Sequence, residues 1–162
     1  MARILIVGGG CRGRLLASEL VSEGHLVRIT TRAETGRAAI EAVGAEAWIG
    51  TPDRLATLRG ALDRVAVLCW LLGTARGPRE ELQALHSSRL EFFLTQAIDT
   101  TVRGIVYEST GVTPSAGLVE RGAHIAERLT RRNSIPARFL TAGPRDASAW
   151  LGEANRSVGS LL

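Results

Sequence analysis

No lysine occurs anywhere in this chain; all 20 of its basic residues are arginine. That removes Schiff-base chemistry on a lysine and any lysine assisting a catalytic tyrosine. Tyrosine occurs once, as Tyr107. The only cysteines, Cys11 and Cys69, lie far apart and show no metal-ligand spacing. Neither a disulfide framework nor a metal site is indicated, and a reducing cytoplasm is the expected setting. No apolar run approaches the length of a membrane span, and the stretch before the first glycine is too short for a signal peptide. Long basic runs are also missing: the longest cluster is Arg131-Arg132, and the net charge is only +4. The sequence pI of 10.3 overstates the basicity, because arginine does not titrate in the accessible range. A nucleic-acid surface is therefore not indicated.

Apolar residues make up 45% of the 162 positions, enough for the core of one domain spanning 1–162. The chain is organised around Ile4 to Arg32. Ile4-Leu5-Ile6-Val7 is short, apolar and β-branched, as a buried strand should be. Gly8-Gly9-Gly10-Cys11-Arg12-Gly13 then fits G-x-G-x-x-G. A helix follows with Leu16, Ala17, Leu20 and Val21 on one side; Gly24 stops it, and Leu26 to Thr30 read as a second strand. A strand, glycine turn, helix and strand within about 30 residues is the context a dinucleotide fingerprint requires. Gly8 permits the tight turn, Gly10 lets a pyrophosphate approach the backbone, and Gly13 lets the helix close on the strand. The helix N-terminus offers N–H groups and partial positive charge to phosphates.

Further along, Ala33 to Val43 reads as a short helix and Ala45 to Ile49 as a third strand. Asp53 could cap a helix carrying Leu55, Leu58 and Leu62. Val65 to Trp70 is a fourth strand, and Glu80 to Thr101 the longest helix, with Leu90, Phe93, Leu94, Ala97 and Ile98 in helical register. Gly104 to Tyr107 is a fifth strand; Leu118, Gly122, Ile125 and Leu129 mark another helix; Ala137 to Thr141 is a sixth strand. The remainder reads as a short helix and a frayed tail. This alternation predicts an α/β fold: a doubly wound parallel sheet (Rossmann fold) of about six strands, three-layer α/β/α, in the order 3-2-1-4-5-6. Ligands bind beyond the carboxyl ends of such strands. The loops there are Gly8–Gly13, Thr31–Arg32, Gly50–Asp53, Leu72–Ala75, Ser109–Thr113 and Ala142–Arg145.

The segments ILIVGGGCRGR, GHLVRITTR, GIVYESTG and IPARFLTAGP resemble the short-chain dehydrogenase/reductase superfamily, and more narrowly its atypical extended, NmrA-like, NAD(P)-binding branch. That family's catalytic pair is a Tyr and a Lys four residues apart on the helix after the fifth strand. Placing Glu127 at the family's usual helix Glu puts Val119 and Ala123 where the pair should be. Tyr107 lies inside the strand instead. Ser109 and Thr110 match the family's serine-rich strand end, and without an acid–base partner a hydroxyl there supports only substrate or cofactor hydrogen bonding. By the same resemblance the family's C-terminal substrate-binding region is mostly missing.

The expected cofactor residues are thus Gly8, Gly10, Cys11, Arg12, Gly13, Thr31, Arg32, Asp53, Leu72, Gly73, Ser109 and Thr110, with no metal ligand. Arg32 stands about 20 residues after the glycines, where the ribose is read. With Thr31 and Arg32 in place of an acidic residue, a 2′-phosphate is favoured, so NADP is expected ahead of NAD. The alternative is a solvated Arg32. Arg12 either touches the pyrophosphate or 2′-phosphate or faces solvent, and Cys11 is either a small filler or a thiol activated by the helix terminus. Glu108 points either towards the ligand edge or away from it. Trp70 and Trp150 are expected in the core rather than as pocket walls. Three functional readings follow: an oxidoreductase acting on a small molecule, a non-catalytic dinucleotide sensor, or a subunit completed by a homodimer partner through the long helix.

Overall fold

The computed structural model describes residues 1–112 and 115–162. Thr113, expected in the loop after the fifth strand, lies outside them. Six strands form one parallel sheet: β1 (Arg3–Gly8), β2 (Leu26–Thr31), β3 (Glu46–Ile49), β4 (Val67–Leu71), β5 (Gly104–Glu108) and β6 (Ala137–Leu140), in the order β3-β2-β1-β4-β5-β6. This is the strand order expected from the alternation of elements. The helices are α1 (Gly10–Ser22), α2 (Arg37–Glu41), α3 (Arg79–Leu85), α4 (Ser88–Ile98), α5 (Ala116–Arg132) and α6 (Ala147–Gly159).

Successive strand residues point to opposite faces, and this builds two cores. Leu5, Val7, Leu68, Trp70, Ile105 and Tyr107 face α3, α4 and α5. Ile4, Ile6, Val67, Cys69, Leu71 and Val106 face α1 and α6. Both faces are dry over the central strands, so β1, β4 and β5 carry near-continuous apolar runs. Burial pushes the Cys69 thiol up to about 12.

Three segments differ from the sequence reading. The region of Leu55, Leu58 and Leu62 forms two 3₁₀ turns, Leu55–Thr57 and Arg59–Leu62, rather than an α-helix. The Trp48 indole N–H donates to the Thr57 carbonyl at 2.7 Å, and Ala61 turns back to Leu58 at 3.0 Å instead. The long helix is broken after Leu85. His86 dives into the core, where its Nδ1 and the Tyr107 hydroxyl share a hydrogen bond of 2.7 Å, and Ser87 leaves helical geometry at φ −140°. The last segment is a 13-residue helix, with Trp150, Ala154 and Val158 fully buried along one stripe. Trp70 and Trp150 are both core residues at 0% exposure. Among the described residues, no helix is long and apolar enough to cross a membrane.

Candidate functional site

The glycine turn joins β1 to α1 at the carboxyl edge of the sheet. Gly8 has φ +84°, and a Cβ there would lie 2.5 Å from the Leu71 carbonyl, so only glycine fits. The Gly9 N–H donates to that carbonyl at 2.7 Å and ties the turn to β4. Gly10 is different: a Cβ built on it meets nothing within 4 Å and enters open space. Gly13 lies under the Gly8 carbonyl, 3.0 Å from where its own Cβ would stand, so α1 closes tightly on the strand. No side chain caps α1, and its first-turn N–H groups are available to an anion.

A cleft of about 510 Å³ opens on this turn, bounded by Gly10, Arg32, Leu72, Thr74 and Arg76. It runs on into a slot of about 130 Å³ walled by Thr31, Pro52, Leu72, Ala75 and Leu85. A separate hollow of about 300 Å³ lies between Gly111, Val112, Gly143, Pro144 and Arg145 at the ends of β5 and β6. Another cavity, of about 470 Å³, sits at the opposite edge, before β4 and β5, near Asp63, Arg64 and Thr101. It lies away from the strand ends that parallel sheets use for ligands.

Arg32 borders the cleft with a side chain 66% exposed, and its guanidinium pairs with Asp53 at 2.5 Å. The other Asp53 oxygen accepts from Arg89 of α4 at 2.9 Å. Asp53 therefore bridges two cations instead of capping a helix, and the trio keeps one positive charge beside the slot. The Thr31 hydroxyl donates to the Ala33 carbonyl at 3.4 Å. Cys11 is exposed on α1, 3.1 Å from an Arg14 nitrogen, and does not border the cleft.

Arg12 turns inward. Its Nη1 donates to Glu108 at 2.9 Å and its Nη2 to Thr74 at 3.2 Å, and its guanidinium stacks 4.4 Å from the centre of the Trp150 ring. Glu108 is fully buried; it also accepts from the Gly73 N–H at 2.6 Å and from the Trp150 indole at 2.6 Å. Gly73 has no room for a side chain, since a Cβ would lie 2.2 Å from the Thr110 carbonyl. The Ser109 hydroxyl donates to the Leu140 carbonyl at 2.6 Å and the Thr110 hydroxyl to the Ala142 carbonyl at 2.8 Å. These hydroxyls fasten β5 to the end of β6. On the other face, burial and the negative charge of Glu108 push the Tyr107 hydroxyl pKa up, and burial holds His86 down at about 4 against a weaker pull from the Leu72 carbonyl. Val119 is buried, and Ala123 packs against the core.

Of the residues named from the sequence, Gly8, Gly10, Thr31, Arg32 and Leu72 border one continuous cleft. Asp53 stands behind Arg32, Gly73 lies beneath the floor, and Arg12, Ser109 and Thr110 are engaged with other protein groups. Thr74, Arg76, Arg89 and the inward turn of Glu108 were not read from the sequence. The period of two would have found the last of these. Glu108 shares a face with Val106, which is the face that α1 and α6 cover.

No protein-family model matches the chain. It is 32% identical over 111 residues to a 4-hydroxy-2-methyl-3-oxo-4-farnesyl-3,4-dihydroquinoline-1-oxide ketoreductase of Stigmatella aurantiaca, a match covering 67% of this chain and 33% of that protein. Among solved structures it is similar to the Citrobacter sp. triphenylmethane reductase complexed with NADP(H), at TM-score 0.63 and 21% identity over 85% of this chain and 48% of that one. It is also similar to vestitone reductase from alfalfa, at TM-score 0.63 and 14% identity over 86% of this chain and 56% of that one. The chain thus spans a third of the ketoreductase and about half of each solved reductase. Its sheet and crossovers are the Rossmann fold that the extended short-chain dehydrogenase/reductase proteins share.

Proposed function

We propose that this chain binds a nicotinamide dinucleotide in the cleft over the glycine turn, and NADP(H) in preference to NAD(H). One observation carries the reading: Gly10 leaves the cleft open at the uncapped N-terminus of α1, where a pyrophosphate needs both close approach and N–H donors. The slot walled by Pro52, Leu72, Ala75 and Leu85 suits a flat apolar base. Arg32 then stands beside the ribose, and its guanidinium, with Arg89 behind it, suits a 2′-phosphate. The likeness to a reductase that was solved with NADP(H) supports the same cofactor.

The cofactor would supply the hydride chemistry; this chain would bind and orient it. The chain fits an atypical reductase without the Tyr/Lys pair, acting on a small carbonyl compound. A non-catalytic dinucleotide sensor is the second reading. It is favoured by the commitment of the Ser109 and Thr110 hydroxyls to backbone carbonyls and by Val119 and Ala123 at the inferred positions of the pair. The deciding experiment titrates NADPH and NADH and then follows hydride turnover over a panel of carbonyl compounds. NADPH binding with turnover supports the reductase, and binding without turnover the sensor. Failure to bind either dinucleotide would refute both.

A further inference from the structure

The interior cluster of Arg12, Glu108 and Trp150 serves no purpose in either reading so far. Burying a carboxylate costs several kcal/mol even when it is paired, and apolar groups of the same shape would often do as well. Glu108 is nevertheless buried completely, and it gathers three donors from separate parts of the chain: Gly73 N–H after β4, the Arg12 guanidinium in the first turn of α1, and the Trp150 indole of α6. A dinucleotide crosses the crevice with its pyrophosphate at α1 and its two halves over opposite sides of the sheet. Arg32 and Asp53 lie under the adenosine side. Arg12 reaches to the other side, over β4 and β5, and its contact with Thr74 places it against the cleft wall.

We infer that Glu108 is a positioning residue for the nicotinamide half of the cofactor. It touches no ligand. Its charge holds α1, the Gly73 loop and α6 as one floor, and it fixes Arg12 against Thr74 on the cleft wall. The inference rests on the dinucleotide reading and deepens it.

The test compares two probes, NADPH and 2′,5′-ADP, which is the adenosine half alone. Glu108→Gln keeps the shape but offers one acceptor oxygen for three donors. The expected result is a loss of about tenfold or more in NADPH affinity, with 2′,5′-ADP affinity within about twofold of wild type. Trp150→Phe keeps the ring under Arg12 and removes a single donor. It should shift the ratio of the two affinities in the same direction by less, and it carries the test if the first variant does not fold. Equal losses for both probes would show a merely structural role and overturn the inference, as would an unchanged ratio in both variants. Wild-type protein that binds neither probe would instead sink the dinucleotide reading, and this inference with it.

Discussion

Two glycines two positions apart, Gly8 and Gly10, should fail for opposite reasons. A Cβ at Gly10 meets nothing within 4 Å beyond its own turn of the helix, but φ is +54°. The left-handed conformation costs a residue with a side chain about 1–2 kcal/mol. At about 2–4 °C per kcal/mol for a chain of this size, Gly10→Val should lower the unliganded Tm by several degrees and still fold. Its branched side chain would fill the space a pyrophosphate must enter. Wild type at a cofactor concentration of 100 Kd should gain about 2.7 kcal/mol, an upward shift on the order of 5–11 °C. Gly10→Val should show none of that shift. Gly8→Ala should behave the other way, losing more stability without ligand because its Cβ would lie 2.5 Å from the Leu71 carbonyl. Thermal melts with and without NADPH read both effects. A folded Gly10→Val protein that keeps the wild-type ligand shift would refute the placement of the cofactor.

Arg32→Ala should erase most of a preference for NADPH that we expect to be about tenfold. Charge-assisted hydrogen bonds are worth about 1.5–3 kcal/mol, and the exposure of Arg32 reduces that. NADH affinity should barely change, and equal wild-type affinities for the two cofactors would sink the argument. His86 is held at about 4, below the ordinary value of 6.5, so the unfolded chain takes up its proton first. The resulting stability is fully present above about pH 6.5 and is lost as pH falls towards 4, by about 3 kcal/mol in all. Melts from pH 7 to pH 4.5 should show this loss, and His86→Gln should flatten it; an unchanged slope in the variant would refute the assignment.

The sheet was legible because its central strands β1, β4 and β5 are apolar on both faces and run into glycine-bearing turns. The glycine turn was legible because each of its glycines answers to a separate steric demand. The breaks were not. Around His86 the residues give only a weak boundary signal, Ser87-Ser88 with Glu91 three residues on; what fixes the break is Tyr107, 21 residues on, which holds the imidazole inward. Leu55, Leu58 and Leu62 have helical spacing, yet the indole of Trp48 takes the carbonyl that an α-helix would need at Thr57. The candidate site divides the same way. Backbone-shaped features could be read in order along the chain, whereas the roles of Asp53, Arg12 and Glu108 depend on partners 21 to 96 positions distant.

The clasp between the first and last helices bears on how the chain acquires its shape in time. Asn155 bonds to Glu19 across 136 residues, and the Trp150 indole reaches Glu108 across 42. Synthesis delivers the glycine turn well before Trp150. Its underside is completed only when Trp150 arrives, because the Trp150 ring lies against Arg12 and its indole closes on Glu108. Such long-range closure is slow. A nascent chain halted before α6 would therefore display the fingerprint motif without its foundation, and the site most easily read from the sequence would mature only once α6 has docked.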